Sequence, residues 1–229
     1  MAAPDPVARL ADVPLFARVP KPDLVDLGAR MTSKELPKGA VLFHQGDDGD
    51  ALYVIESGAV KVSNLSGDGR EVVVALLGPG EVFGELAMLE AGVRTADATA
   101  IEHTTLLSLS SAGFRPFIED HPQVAWELLG VLAGRLRETS EALQDAIFSD
   151  VPGRLAKRFL DLSERYGTPE GDGILIDLAV TQEELAQMVG AARESVNKAV
   201  ASFVSRGWLS MKGRKYVVTD RESLTRRAT

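Results

Sequence analysis

The sequence predicts an α+β chain in three parts: an N-terminal antiparallel β-roll of jelly-roll type, one long helix suited to dimerisation, and a C-terminal winged helix-turn-helix. Three observations carry this expectation. Between Thr32 and Ser110 short apolar runs are cut by glycines at 39, 46, 49, 58, 67, 69, 78, 80, 84 and 92, the rhythm of strands joined by tight turns. After Pro122 the residues Ala125, Leu129, Leu132, Leu136, Thr139, Leu143 and Ala146 follow at alternating steps of four and three, the spacing of a coiled-coil seam. From Thr181 to Thr219 a capped helix, a glycine stop, a second helix and a basic hairpin follow in close order. The boundaries expected are 1–121 for the roll domain, 122–149 for the long helix and 150–229 for the last domain.

The first thirty residues read as short helices, with Val7, Leu10, Ala11, Leu15 and Phe16 apolar and a second start at Pro22-Asp23. In the roll, Val60 to Ser63 alternates with period two, Glu71 to Leu77 is rich in β-branched residues, and Thr99 to Leu109 alternates more loosely. The long helix, roughly 37 Å for some 25 residues, needs a partner for its seam, and a second copy is the simplest one. Thr139, with Ser140 beside it, is the polar position of that seam. Ser149 to Gly153 interrupts the helix, because proline cannot continue a helix interior but suits the first turn of a new one. A helix from Pro152 to Tyr166, a Gly/Pro loop from Gly167 to Gly173 and a strand from Ile174 to Leu178 follow.

Charge is divided by position. Residues 1–150 carry 12 basic and 23 acidic side chains, whereas residues 151–229 carry 13 and 10, and from Arg193 onward nine bases face three acids. A basic end on an acidic chain points to a phosphate-rich partner for that end. The absence of cysteine excludes disulfides and thiolate chemistry, and the scattered His44, His103 and His121 make no metal motif. No metal, no catalytic residue and no required cofactor are expected. Nor is a membrane partner, since no apolar run approaches a spanning length. Met1 to Asp5 has no signal-peptide character, so a cytoplasmic location is expected.

Thr181-Gln182-Glu183-Glu184 is a Thr-x-x-Glu capping box, and Gly190 supplies the left-handed residue that ends the helix it starts. In the next helix Val196, Ala199, Val200 and Phe203 share one face, while Arg193, Glu194, Asn197 and Lys198 share the other, with Ser195 in the first turn. Hydrogen-bonding groups at the N-terminal end of such a helix meet base edges in the major groove of double-stranded DNA. Arginine donates twice to guanine and glutamate accepts from cytosine N4, so Arg193 and Glu194 are the expected base readers. Trp208 to Met211 and Tyr216 to Thr219 form a hairpin whose turn, Lys212, Gly213, Arg214 and Lys215, is a phosphate-touching wing.

Together these residues resemble the cyclic-AMP receptor (Crp/Fnr) family over nearly the whole chain. The resemblance is carried by Gly84-Glu85-Leu86-Ala87, Arg94-Thr95-Ala96 and Val189 to Val196, and Phe148 to Arg154 is similar to the hinge of actinobacterial cyclic-AMP receptors. It implies a cyclic-nucleotide-binding roll with cyclic AMP as allosteric ligand. In that reading Gly84 allows close backbone approach, and Leu86 and Ala87 lie in the short helix that Gly84 opens. Arg94 and Thr95 hold the phosphate, and Glu85 accepts from the ribose 2′-hydroxyl. Arg135 ties the long helix to Glu85, and Thr139 and Ser140 reach the adenine amino group, one from each subunit. The resemblance further implies Thr181 and Gln182 at the DNA, a TGTGA-type palindrome, and RNA polymerase as a partner for activation. The sequence departs from the family at four positions: Ala192 where many relatives have serine, Lys198 where the best-known members have arginine, Gly134 within the dimer helix, and Val93 where proline is common. A regulator answering another small molecule, or none, stays open, as does a cupin-like β-barrel enzyme with a helical module. The latter lacks a histidine-rich motif, a Gly-x-Ser-x-Gly elbow or a phosphate-loop lysine.

Overall fold

A computed structural model describes residues 10–67, 69–90 and 92–229; Val7 lies outside them. The chain divides into two compact units. One comprises the described residues up to Asn64 together with Val74–Leu136, and the other Leu65–Val73 with Arg137–Thr229.

The first unit is built on eight strands: β1 (Thr32–Leu36), β2 (Val41–Phe43), β3 (Ala51–Ser57), β4 (Val60–Leu65), β5 (Glu71–Leu77), β6 (Val82–Phe83), β7 (Asp97–Ala100) and β8 (Thr104–Ser110). They form two four-stranded sheets, ordered β1-β8-β3-β6 and β2-β7-β4-β5. Because side chains alternate along a strand, the first sheet serves two cores. Leu36, Ile55, Phe83 and Leu106 meet Val60, Leu77, Ala98 and Ala100 of the second sheet, with Tyr53 and Phe43 at the margin. Leu52, Val54, Leu107 and Leu109 face the other way, into a helical layer. That layer comprises a 3-10 turn at Pro14–Phe16, α1 (Lys21–Ala29), α3 (Ser111–Asp120) and the first turns of α4 (Pro122–Phe148), while α2 (Glu85–Glu90) follows β6. Phe16, Leu24, Leu27, Phe114, Phe117, Val124 and Leu128 are its buried contributions, each worth about 1.5 to 3 kcal/mol as area removed from water.

Two features of this unit differ from the sequence reading. Helix α3 was not foreseen; it is capped by Ser110, whose Oγ accepts from Gly113 N at 3.3 Å, and carries Pro116 in its interior. The seam of α4 also divides. Leu132 turns inward and packs against the helical core of its own unit, whereas Leu129, Leu136 and Leu143 are exposed, at 54%, 69% and 64%. Trp126 and Ile147 extend the exposed stripe at the same three- and four-residue spacing.

In the second unit α4 ends at Phe148, and Asp150 caps α5 (Val151–Tyr166), its carboxylate accepting from Gly153 N at 2.9 Å with Pro152 in the first turn. Leu155, Phe159 and Leu162 are the buried face of α5, and the Phe159 ring meets Tyr216 edge-on at 5.0 Å. The expected Gly/Pro loop contains a strand, β9 (Gly167–Glu170), which pairs with β10 (Gly173–Ile176) about a turn at Gly171. β11 (Leu209–Lys212) and β12 (Lys215–Val218) complete a sheet ordered β11-β12-β10-β9. Between β10 and β11 lie α6 (Gln182–Val189) and α7 (Arg193–Ser205); α8 (Arg221–Ala228) follows β12.

Candidate ligand pocket and nucleic-acid interface

In the first unit Gly84 and Arg94 meet beside the β6–α2 junction. Gly84 has φ +79°, and a Cβ there would lie 2.8 Å from Arg94 Nη1 and 3.1 Å from the Tyr53 ring. Glycine is therefore required twice, for backbone and for space. Arg94 is only 4% exposed. Its Nη1 donates to the carbonyls of Ala51 at 2.9 Å and Gly84 at 2.7 Å, and its guanidinium carbon stands 4.3 Å from the Phe43 ring centroid and 5.4 Å from that of Tyr53. Nε is buried without a hydrogen-bond partner among the described residues.

An internal Arg94–Glu85 ion pair would explain both groups without any ligand. The structure has no such pair. Glu85, 2% exposed, pairs instead with Arg135, whose Nη1 lies 2.6 Å from Oε1, and Arg135 Nη2 also donates to the Val82 carbonyl. Oε2 of Glu85 is buried and unpartnered among the described residues. A buried cation without a counter-charge and a buried carboxylate oxygen without a donor are each costly. They suit a ligand that brings an anion and a hydroxyl. Ala87 is buried, Leu86 and Thr95 are exposed, and Thr139 and Ser140 lie exposed on α4.

In the second unit the capping box is complete. Thr181 Oγ1 accepts from Glu184 N at 3.1 Å, and Glu184 Oε2 accepts from Thr181 N at 2.7 Å. Gly190 closes α6 at φ +60°, in the left-handed region. Helix α7 starts from Ala192 with no side-chain cap, so the absent serine hydroxyl has no substitute. Arg193, Glu194, Ser195 and Lys198 are exposed, while Val196, Ala199, Val200 and Phe203 are buried, as the two-faced pattern requires. Lys198 Nζ lies 2.7 Å from Glu194 Oε1, and Arg193 Nε lies 4.0 Å from Glu183. Two candidate contacts are more enclosed than expected. Asn197 is half-buried, with Oδ1 enclosed and without a hydrogen-bond partner among the described residues, and Gln182 hydrogen-bonds Tyr216, whose phenol burial pushes up. Two wing lysines are engaged by the preceding hairpin: Lys212 with Glu170 at 2.6 Å, and Lys215 with Asp177. Arg214 is exposed at the turn.

Residues 33–121 match the family model for a cyclic nucleotide-binding domain, and residues 153–227 that for a Crp-like helix-turn-helix domain. The CRP-like cAMP-activated global transcriptional regulator of Mycobacterium tuberculosis is 42% identical over 219 residues, covering 96% of this chain and 98% of that protein. This chain belongs to the Crp/Fnr family. The Cyclic AMP receptor protein of Thermus thermophilus is 37% identical over 85% of this chain and 87% of its own length. FixK2 from Bradyrhizobium japonicum shares the fold, with a TM-score of 0.77 at 23% identity over 87% of this chain and 98% of that one. The chain is thus a DNA-binding transcription regulator of this family with a cyclic-nucleotide-binding domain. No described helix is long and apolar enough to cross a membrane, and no metal-binding cluster of three or more His, Asp or Glu occurs among the described residues.

Sequence reasoning missed the residues that hold Arg94. Phe43, Gly49 and Tyr53 lie 51, 45 and 41 positions before it, and nothing in their local pattern ties them to an arginine.

Proposed function

We propose that this regulator works as a homodimer whose affinity for a TGTGA-type palindrome is raised by cyclic AMP, with RNA polymerase as the partner in activation. The observation that carries the ligand assignment is Arg94, a buried cation with no carboxylate within ion-pairing distance among the described residues. The cyclic phosphate supplies that charge and Thr95 a further hydroxyl donor. The ribose 2′-hydroxyl donates to the open oxygen of Glu85. Thr139 and Ser140, about one helical turn beyond Arg135 on α4, serve the adenine from the two subunits. The names of the mycobacterial and Thermus relatives agree with cyclic AMP as the ligand.

The exposed leucine stripe of α4 supports the homodimer, since 129, 136 and 143 recur at the heptad interval. The working parts are then the roll at 1–121, the dimer helix at 122–149 and the DNA head at 150–229. At the DNA, Arg193 and Glu194 read bases, while Ser195, Asn197 and Lys198 accompany them on α7. Thr181, Gln182, Lys212, Arg214 and Lys215 meet the backbone. In this mechanism the nucleotide favours one arrangement of helix pair and hinge, a coupling of about 1 to 3 kcal/mol, so some ligand-free binding persists.

The test is fluorescence anisotropy of a labelled TGTGA palindrome with and without cyclic AMP at one fixed salt concentration. Cyclic AMP tightens specific binding about 5- to 150-fold, and Arg94→Ala removes the gain. Specific binding indifferent to cyclic AMP defeats the ligand assignment and leaves the DNA head standing.

A further inference from the structure

We propose that Phe43 is a positioning residue for ligand recognition, holding the Arg94 guanidinium in place over its ring before any nucleotide arrives. This rests on the reading of Arg94 as the phosphate ligand. Arginine is the longest and most freely rotating cationic side chain, and fixing one in advance normally takes a carboxylate. Among the described residues no carboxylate pairs with Arg94. Nη1 is fixed by two carbonyls, at 2.7 and 2.9 Å, which locates one corner of the fork but leaves rotation about it open. The Phe43 ring, 4.3 Å from Cζ, removes that freedom. Phe43 is itself braced, since its ring lies 5.9 Å from Tyr53 and 6.2 Å from Phe83, and Tyr53 stacks on Phe83 at 5.4 Å. Three aromatic rings from β2, β3 and β6 thus form a wall, and Arg94 lies against it.

Gly49 also lies close against the guanidinium. A Cβ on Gly49 would lie 2.4 Å from Nε and 2.6 Å from Cζ, so Gly49 leaves room for the guanidinium that no other residue would leave. A ring face attracts the cation without neutralising it, so the arginine is ordered while its charge stays available to an anion. A carboxylate in the same place would order the arginine and compete with the phosphate. This is the advantage of an aromatic wall at an anion site. The orphaned Nε fits the same account, because the wall holds a donor at a fixed place with nothing yet to receive it.

Isothermal titration of the full-length chain with cyclic AMP tests this, using wild type, Phe43→Leu, Phe43→Tyr and each change combined with Arg94→Lys. Loss of the ring face raises Kd roughly three- to tenfold in Phe43→Leu, and Phe43→Tyr stays within about twofold of wild type. Lysine has no planar face to stack, so in the Arg94→Lys background Phe43→Leu changes Kd by less than about twofold. An equal loss in both backgrounds, or a loss in Phe43→Tyr as large as in Phe43→Leu, overturns the proposal. If Phe43→Leu melts below the assay temperature, Phe43→Met, which keeps the volume without the ring, takes its place under the same criteria. Wild type that binds no cyclic AMP defeats the underlying reading, whereas wild type that binds normally with Phe43→Leu unchanged defeats this inference alone.

Discussion

The charged groups of the two units are arranged by opposite rules. In the roll, Arg94 and Glu85 are almost fully buried, fixed by backbone carbonyls, aromatic faces and Arg135, and each keeps one atom unpartnered. On α7 and the wing, Glu194, Lys198, Lys212 and Lys215 are solvent-facing and already paired with neighbours. Exposed pairs are worth about 0 to 1 kcal/mol and exchange partners freely, so the DNA-facing charges are held ready without being committed. A buried group has no such freedom, and its missing partner calls for a cause, which an anion and a hydroxyl brought by a ligand would supply here. One unit fixes its charged groups in place, and the other leaves them free to exchange partners.

The sharpest way to break this contrast is to remove the buried cation. Arg94→Met is expected to weaken cyclic AMP binding by about 3 kcal/mol, roughly a hundredfold. The ligand-free melting temperature should hold or rise, because an uncompensated buried charge is gone. Calorimetric titration and a thermal melt read the two effects. A large drop in melting temperature would mean that Arg94 supports the fold after all. The exposed side behaves differently: Arg193→Ala or Glu194→Ala should leave stability within about 0.5 kcal/mol. Each should cost about 1 to 3 kcal/mol of discrimination at its own base pair, measured by competition between the palindrome and single-base variants. Uniform weakening on all sequences would reduce Arg193 to a phosphate contact and remove Glu194 from base reading.

A smaller gain is expected from repairing helix ends and interiors. Ala192 already has the extended N-cap conformation and lacks only an oxygen, so Ala192→Ser should stabilise by about 0.5 to 1 kcal/mol in urea unfolding. The smallest effect belongs to His121. Its Nε2 lies 3.0 Å from Asp23 and its Nδ1 3.1 Å from the Phe117 carbonyl, so both ring nitrogens face acceptors and the imidazolium is the satisfied form. The Asp23 bond, opposed by burial and aided by the Phe117 carbonyl, raises its pKa. A raised histidine pKa contributes stability that is complete below about 6.5 and is lost as pH rises through the higher folded value. Wild type should therefore lose more unfolding free energy than His121→Gln between pH 6 and pH 9, a difference under about 1 kcal/mol read by urea unfolding at the two pH values; equal losses would remove His121 from the account.

What the sequence made legible follows the same division between local and distant causes. The capping box at Thr181, the stop at Gly190, the break at Pro152 and the wing turn are decided within a few residues, and the structure has each. Helix α3 was hidden because Gly113 and Pro116 sit inside it, and a sequence rule counts both as breakers. Strand β9 was hidden for a similar reason: Gly167-Thr168-Pro169-Glu170 has turn composition and is held extended by pairing with β10. Helix α8, a polar segment, was missed because its one fully buried apolar anchor is Leu224 and its start is fixed by the Asp220 cap on Ser223. The direction of Leu132 was not readable because a seven-residue repeat does not say which leucines face the chain's own core. Gly84, Glu85 and Arg94 were legible as a short motif, but the wall of Phe43, Tyr53 and Phe83 that holds Arg94 exists only through sheet register.

Gly49 gives the site an evolutionary hinge. The three heavy atoms nearest to a Cβ built at this position all belong to the Arg94 side chain, so a larger residue here would press first on the guanidinium. A single-base change to alanine would evict the guanidinium and spare the roll. Gain and loss of nucleotide sensing in descendants of this scaffold should therefore track position 49 more closely than overall sequence divergence.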